Sequence, residues 1–98
     1  KTLFTTTGAS GAVTFTLPAL AAGLGPFEFL NTVNQDMIIA SAAGDDIVTD
    51  GDAAADSIAF STASHKIGGR ARFRANAAGT AWHVEILSPP ACVVTVAT

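Results

Sequence analysis

Two blocks of side chains carry most of the chemistry available to this sequence. Asp45, Asp46, Asp50, Asp52 and Asp56 form an acidic block, and Lys66, Arg70, Arg72 and Arg74 a basic one. Hard cations such as calcium need several converging carboxylates. The acidic block lacks the D-x-D-x-D-G spacing with a closing Glu that calcium loops use. Asp50-Gly51-Asp52 reads instead as a turn whose acids are solvated or ion-paired, with a bound cation as the alternative. In the basic block, arginines at i, i+2 and i+4 stand on one face of a strand. A nucleic-acid stripe needs aromatic platforms interleaved on that face. Phe73 falls on the opposite face, and the chain has no Tyr. The arginines are therefore expected to pair with the Asp-rich loop, within the chain or across a subunit boundary. There, Arg–carboxylate forks set partner register. A polyanion or glycan ligand is the other use of such a face. Replacing all three arginines with Glu is expected to disrupt assembly more than the fold of one chain.

Little else is arranged for catalysis. His65 and His83 form no close H-x-H or H-x3-H pair of the kind that ligates metal. Ser57, Ser61, Ser64 and Ser88 are not set in a G-x-S-x-G elbow. Cys92 cannot by itself make an intramolecular disulfide or a zinc site, and in Ala91-Cys92-Val93-Val94 it reads as a small buried hydrophobe. It leaves the redox compartment open. Trp82 is expected as a core or interface anchor, because its indole is apolar apart from one N–H. No catalytic, cofactor-binding or metal-binding residue is expected, and the chain is not read as an enzyme. The residues assigned to subunit contacts are Arg70, Arg72, Arg74, Asp50, Asp52 and Trp82.

The elements that must position these groups follow a period of two. Val13, Phe15 and Leu17 share one face, with Ala12, Thr14 and Thr16 on the other. Phe27 and Phe29 flank Glu28, and Met37-Ile38-Ile39 reads as a strand buried on both sides. Ile58 and Phe60 alternate with Ser57, Ala59 and Ser61. Ala71, Phe73 and Ala75 oppose the arginines. Trp82, Val84 and Ile86 oppose an exposed His83 and Glu85, and Cys92, Val94 and Val96 close the chain. Leu3 to Thr7 adds a further strand. Turn residues separate these runs, as in Gly8-Ala9-Ser10-Gly11, Gly68-Gly69 and Ser88-Pro89-Pro90. Seven or eight short antiparallel strands at this spacing predict an all-β sandwich or barrel. Pro18 to Gly23 and Asp52 to Asp56 could each form a helical turn. The expected core is Val13, Phe15, Leu17, Phe27, Phe29, Ile38, Phe60, Phe73, Trp82, Val84 and Ile86.

Composition bounds the reading. Ninety-eight residues and 9.9 kDa make one β-rich domain over 1–98. Apolar residues reach 49%, but charged ones only 13%, against about 25% in soluble proteins. Twenty alanines and twelve threonines account for the apparent hydrophobicity. A net charge of −3 argues against nucleic acid as a partner. No charge lies between Thr2 and Phe27, yet glycines, prolines and alternating threonines break this stretch. It suits neither a membrane-spanning helix nor a signal peptide, so no membrane partner is expected. Without an initiating Met, the chain is expected to be trimmed, processed or a fragment. A surface so poor in charge is expected to be covered by partners.

From Thr7-Gly8-Ala9-Ser10-Gly11-Ala12-Val13-Thr14-Phe15-Thr16-Leu17-Pro18 through Ala21-Ala22-Gly23-Leu24, the sequence resembles small β-rich virion proteins of tailed bacteriophages. In these, a strand ending in Phe-Thr-Leu-Pro leads through a small-residue turn to an aromatic strand, here Phe27-Glu28-Phe29. Gly44-Asp45-Asp46-Ile47 and Gly79-Thr80-Ala81-Trp82-His83-Val84 extend the similarity over residues 5–87. The resemblance implies a head-decoration (cement) protein or a domain of a head or tail fibre. Such a protein is usually homotrimeric and rests on a major capsid protein or another virion protein at the outer surface of the particle. No catalytic residues come with it. Two other classes stand beside this reading: a carbohydrate- or receptor-binding module of a phage appendage, and a small hydrolase using His65 or His83.

Overall fold

In a computed structural model, residues 2–49, 52–62, 66–88 and 95–97 are described, and they form ten strands and no helix. These are β1 (Thr2–Thr5), β2 (Val13–Thr16), β3 (Phe27–Leu30), β4 (Met37–Ala40) and β5 (Ile47–Thr49), then β6 (Asp52–Ala55), β7 (Ser57–Phe60), β8 (Arg70–Ala75), β9 (Trp82–Ile86) and β10 (Thr95–Ala97). One sheet has six strands in the order β1-β3-β8-β9-β5-β6, and the other four in the order β10-β7-β4-β2. A single core contains Phe29, Ile47, Phe73 and Trp82 from the first sheet and Met37, Ile39, Ile58 and Phe60 from the second. The fold is all-β and sandwich-like, as the alternation requires.

The strand count and the directions differ from expectation. There are ten strands rather than seven or eight, and three of the eight pairings are parallel: β1 with β3, β2 with β4, and β5 with β9. The first four strands alternate between the sheets. A strand that returns to its own sheet after a crossover can run parallel to its predecessor, whereas a tight hairpin cannot. Hairpins between adjacent strands occur at β5–β6 and β8–β9.

Several local expectations are also corrected. Asp52–Ala55 is the strand β6, not a helical turn, because pairing with β5 satisfies its backbone. Residues 18–23 contain a turn without helix, consistent with a segment too short to nucleate one. Strand β5 went unread because three residues beside an Asp pair carry no visible period, yet Ile47 is fully buried. In β4, Met37 and Ile39 face the core at 0% exposure, so Ile38 is only half-buried. Exposure rises along β9 from Trp82 at 0% to Ile86 at 36%, which takes Ile86 out of the core.

Two devices hold the strands that carry the basic block. Gly25 has φ +96, and a Cβ there would fall 2.8 Å from the Phe73 carbonyl oxygen. Glycine thus permits β3 to enter close against β8. At the other end of β3, buried Asn31 accepts a 2.7 Å hydrogen bond from the Thr6 hydroxyl and donates to the Gln35 carbonyl at 2.8 Å. Thr6 Oγ1 in turn accepts from the Thr32 amide at 3.0 Å. This clamp ties the end of β1 to the end of β3.

Candidate interface on the outer sheet face

Alternation along β3, β8 and β9 sends Phe29, Phe73 and Trp82 inward and a row of polar residues outward. Strand register places Leu3, Glu28, Arg72 and Glu85 side by side across four strands. Arg70 and Arg74 lie on the same face, two residues to either side of Arg72. All three arginines of the chain, three positive charges, therefore share this face with the two carboxylates of Glu28 and Glu85. It is a net positive surface on a chain of net charge −3.

Among the described residues, Arg70 and Arg72 pair with Glu28 and not with an aspartate. Glu28 Oε1 accepts from Arg72 Nε at 3.0 Å and from Arg72 Nη2 at 2.7 Å, while Glu28 Oε2 accepts from Arg70 Nη2 at 3.0 Å. Arg72 Nη1 also stands 3.6 Å from Glu85 Oε1. Glu28 is 1% exposed although it lies on the outer face, because the two guanidinium groups roof it over. Their side chains remain 41% and 29% exposed. The hydrogen bonds that Arg72 donates to Glu28 are the chief cause that raises its pKa above its ordinary value, and Glu85 adds to it. Arg74 is exposed and has no ion pair among the described residues; its cross-strand neighbour is the exposed His83. Geometrically, the face offers guanidinium donors held in fixed positions, a form suited to the carboxylates of another chain.

The remaining assigned residues separate from this face. Trp82 is fully enclosed in the core of one chain, so its indole offers nothing to a partner. Asp50, His65 and Cys92 lie outside the described residues, as does the side chain of Asp52. Asp45 caps the Leu20 amide at 3.0 Å, and Lys66 pairs with Asp36 at 2.7 Å. Among the described residues, no group of three His, Cys, Asp or Glu side chains is placed to hold a metal ion. Because Arg70 and Arg72 both hold buried Glu28, replacing the three arginines with Glu would set two of the new carboxylates against it and burden the fold of one chain as well as any assembly. Glu28 does not stand out in the sequence because its arginine partners are 42 and 44 residues away and only cross-strand register brings them together. The available signal was a single acid between Phe27 and Phe29 in a strand pattern, where only a paired charge survives burial.

A second surface lies at one flank of the sandwich, where β1 and β2 are the edge strands of the two sheets. All four residues of β1 are exposed. Between the edges opens an apolar groove of about 260 Å³ lined chiefly by Phe4, Phe15, Leu17, Pro18, Phe27 and Phe29. Phe4 stacks on Phe29 at 5.3 Å and meets Phe15 at 5.9 Å. No protein family, curated protein or solved structure matches this chain.

Proposed function

We propose that this chain is a structural subunit of a tailed-bacteriophage particle. It is a head-decoration or fibre subunit that assembles as a homotrimer and docks on a major capsid protein or another virion protein at the particle surface. The observation that supports this reading is the exposed apolar surface. Leu3, Phe4, Ile67, Ile86 and Leu87 are exposed by 36–60% on a chain only 13% charged. Large apolar side chains left in water at this density mark surfaces that partners cover. The mechanism is burial of these residues between subunits, with Arg74 and the rigid Arg70–Glu28–Arg72 fork supplying direction.

The sugar-binding reading has less to stand on. Its best platform, Trp82, is sealed in the core, and among the Phe and Trp rings of the described residues only Phe4 is exposed by 36% or more. A glycan array is expected to give no hits. The virion reading is tested by electron microscopy of phage particles from a lysate whose genome encodes this chain, labelled with an antibody against it. Label on heads or appendages is expected. Protein found only in the unassembled fraction, with bare particles, would overturn the proposal.

A further inference from the structure

The flank between β1 and β2 is unguarded. Natural edge strands are protected by charges, prolines or bulges that prevent another strand from adding. Here both edges fall in the stretch from Thr2 to Phe27, which carries no charged residue, and the groove between them is lined by that stretch and Phe29. Main-chain polarity completes the picture. The Thr2 amide donates to the Pro26 carbonyl at 3.3 Å, so Thr2 and Phe4 point their N–H and C=O groups at β3. Leu3 and Thr5, by alternation, point theirs outward. On the other sheet, the Val13 amide donates to Asp36 at 2.9 Å and the Leu17 amide to Ala40 at 2.8 Å. Thr14 and Thr16 then carry the outward groups of β2.

We infer that this flank is the self-association site, where the β1 edge of one copy adds to the β2 edge of the next copy of this chain by main-chain pairing, a head-to-tail contact that can close as a trimer. Electrostatic matching selects the occupant. A partner with charges on its facing surface would strand them against an uncharged groove and unpaired peptide groups, at a desolvation cost with no compensating ion pair. The strands β1 and β2 of another copy carry no charged residue and offer matching rows of outward donors and acceptors. Its Phe4 brings apolar surface to the open groove, and its Leu3 to the outer side of the same edge. The inference rests on the reading of this chain as an assembling subunit and names the surface by which copies meet.

The test is mass by light scattering across a concentration series, combined with hydrogen exchange of the Leu3 and Thr5 amides. The parent is expected to associate, and both amides to become protected as it does. Leu3→Lys places a charge on an exposed edge position, and Thr5→Pro removes an outward N–H. Each is expected to weaken association about tenfold or more while leaving the far-UV circular dichroism of the single chain unchanged. An associating parent whose Leu3 and Thr5 amides exchange freely overturns the inference but leaves the virion reading intact. So does association that survives both substitutions. A parent that stays monomeric at high micromolar concentration overturns it too, together with the proposed homotrimer. The virion reading is then decided separately by the labelled particles.

Discussion

Replacing Glu28 with Gln isolates the charge of a carboxylate that is 1% exposed and accepts three hydrogen bonds from Arg70 and Arg72. The substitution keeps the volume. Its single carbonyl oxygen can face Arg72 and keep two bonds in weakened form, but its NH2 then confronts the Arg70 guanidinium, donor against donor. Hydrogen bonds to a charged group contribute about 1.5–3 kcal/mol each, and breaking a buried pair costs about 3–5 kcal/mol when the remaining charge is trapped. Here the arginines are 41% and 29% exposed, so water recovers part of their solvation. The expected loss is therefore about 2 kcal/mol, below the trapped-charge range. For a domain of this size it lowers the melting temperature by roughly 10 °C. Urea unfolding at pH 7 and one fixed protein concentration measures it, since self-association would otherwise shift the apparent stability. Burial also implies weak screening, so the loss should persist at about 1 M salt. A loss below about 0.5 kcal/mol, or one abolished by salt, would show that Glu28 behaves as an ordinary surface pair and refute the reasoning.

Other outcomes follow from the same packing. Trp82 Nε1 is buried without a hydrogen-bond partner, so Trp82→Phe gives up no polar contact; it should cost well under the about 3–5 kcal/mol expected for Trp82→Ala, as thermal unfolding will show. Gly25→Ala forces a side chain into positive φ and against the Phe73 carbonyl; calorimetry should register a loss above about 1 kcal/mol. Asn31→Leu removes both hydrogen bonds of the Asn31 amide and leaves the buried Thr6 hydroxyl without its acceptor and the Gln35 carbonyl without its donor, a loss of about 1–3 kcal/mol by urea unfolding. Arg72 is held charged above its ordinary range. A raised pKa gives stability that is lost only as pH climbs through the folded value, so Arg72 should add no slope to a urea-unfolding stability profile between pH 7 and 10.

Much of the fold was legible because a strand half-buried in a sheet writes its two faces into alternate residues. Phe73 and Ala71 against Arg70 and Arg72, or Trp82 against His83, could be assigned to core and surface from spacing alone, and the structure places each accordingly. The period failed where it had too little chain to act on. Ile47 stands in a three-residue strand beside two aspartates, and Ala55 in a strand of small residues whose burial no hydropathy signal announces.

The sequence by itself determined an all-β chain, the inward faces of its longer strands, and the collection of every arginine on one sheet surface. Those follow from side-chain period, which is local. Strand order, the parallel pairings and the partner of the arginines were decided only in three dimensions. Glu28 lies 42 and 44 residues from Arg70 and Arg72, and sheet register, a long-range property, sets it beneath their guanidinium groups in place of the nearer aspartates. The open flank is likewise tertiary: strands that look equivalent in sequence become edges only when the others have paired and left β1 and β2 with one neighbour each.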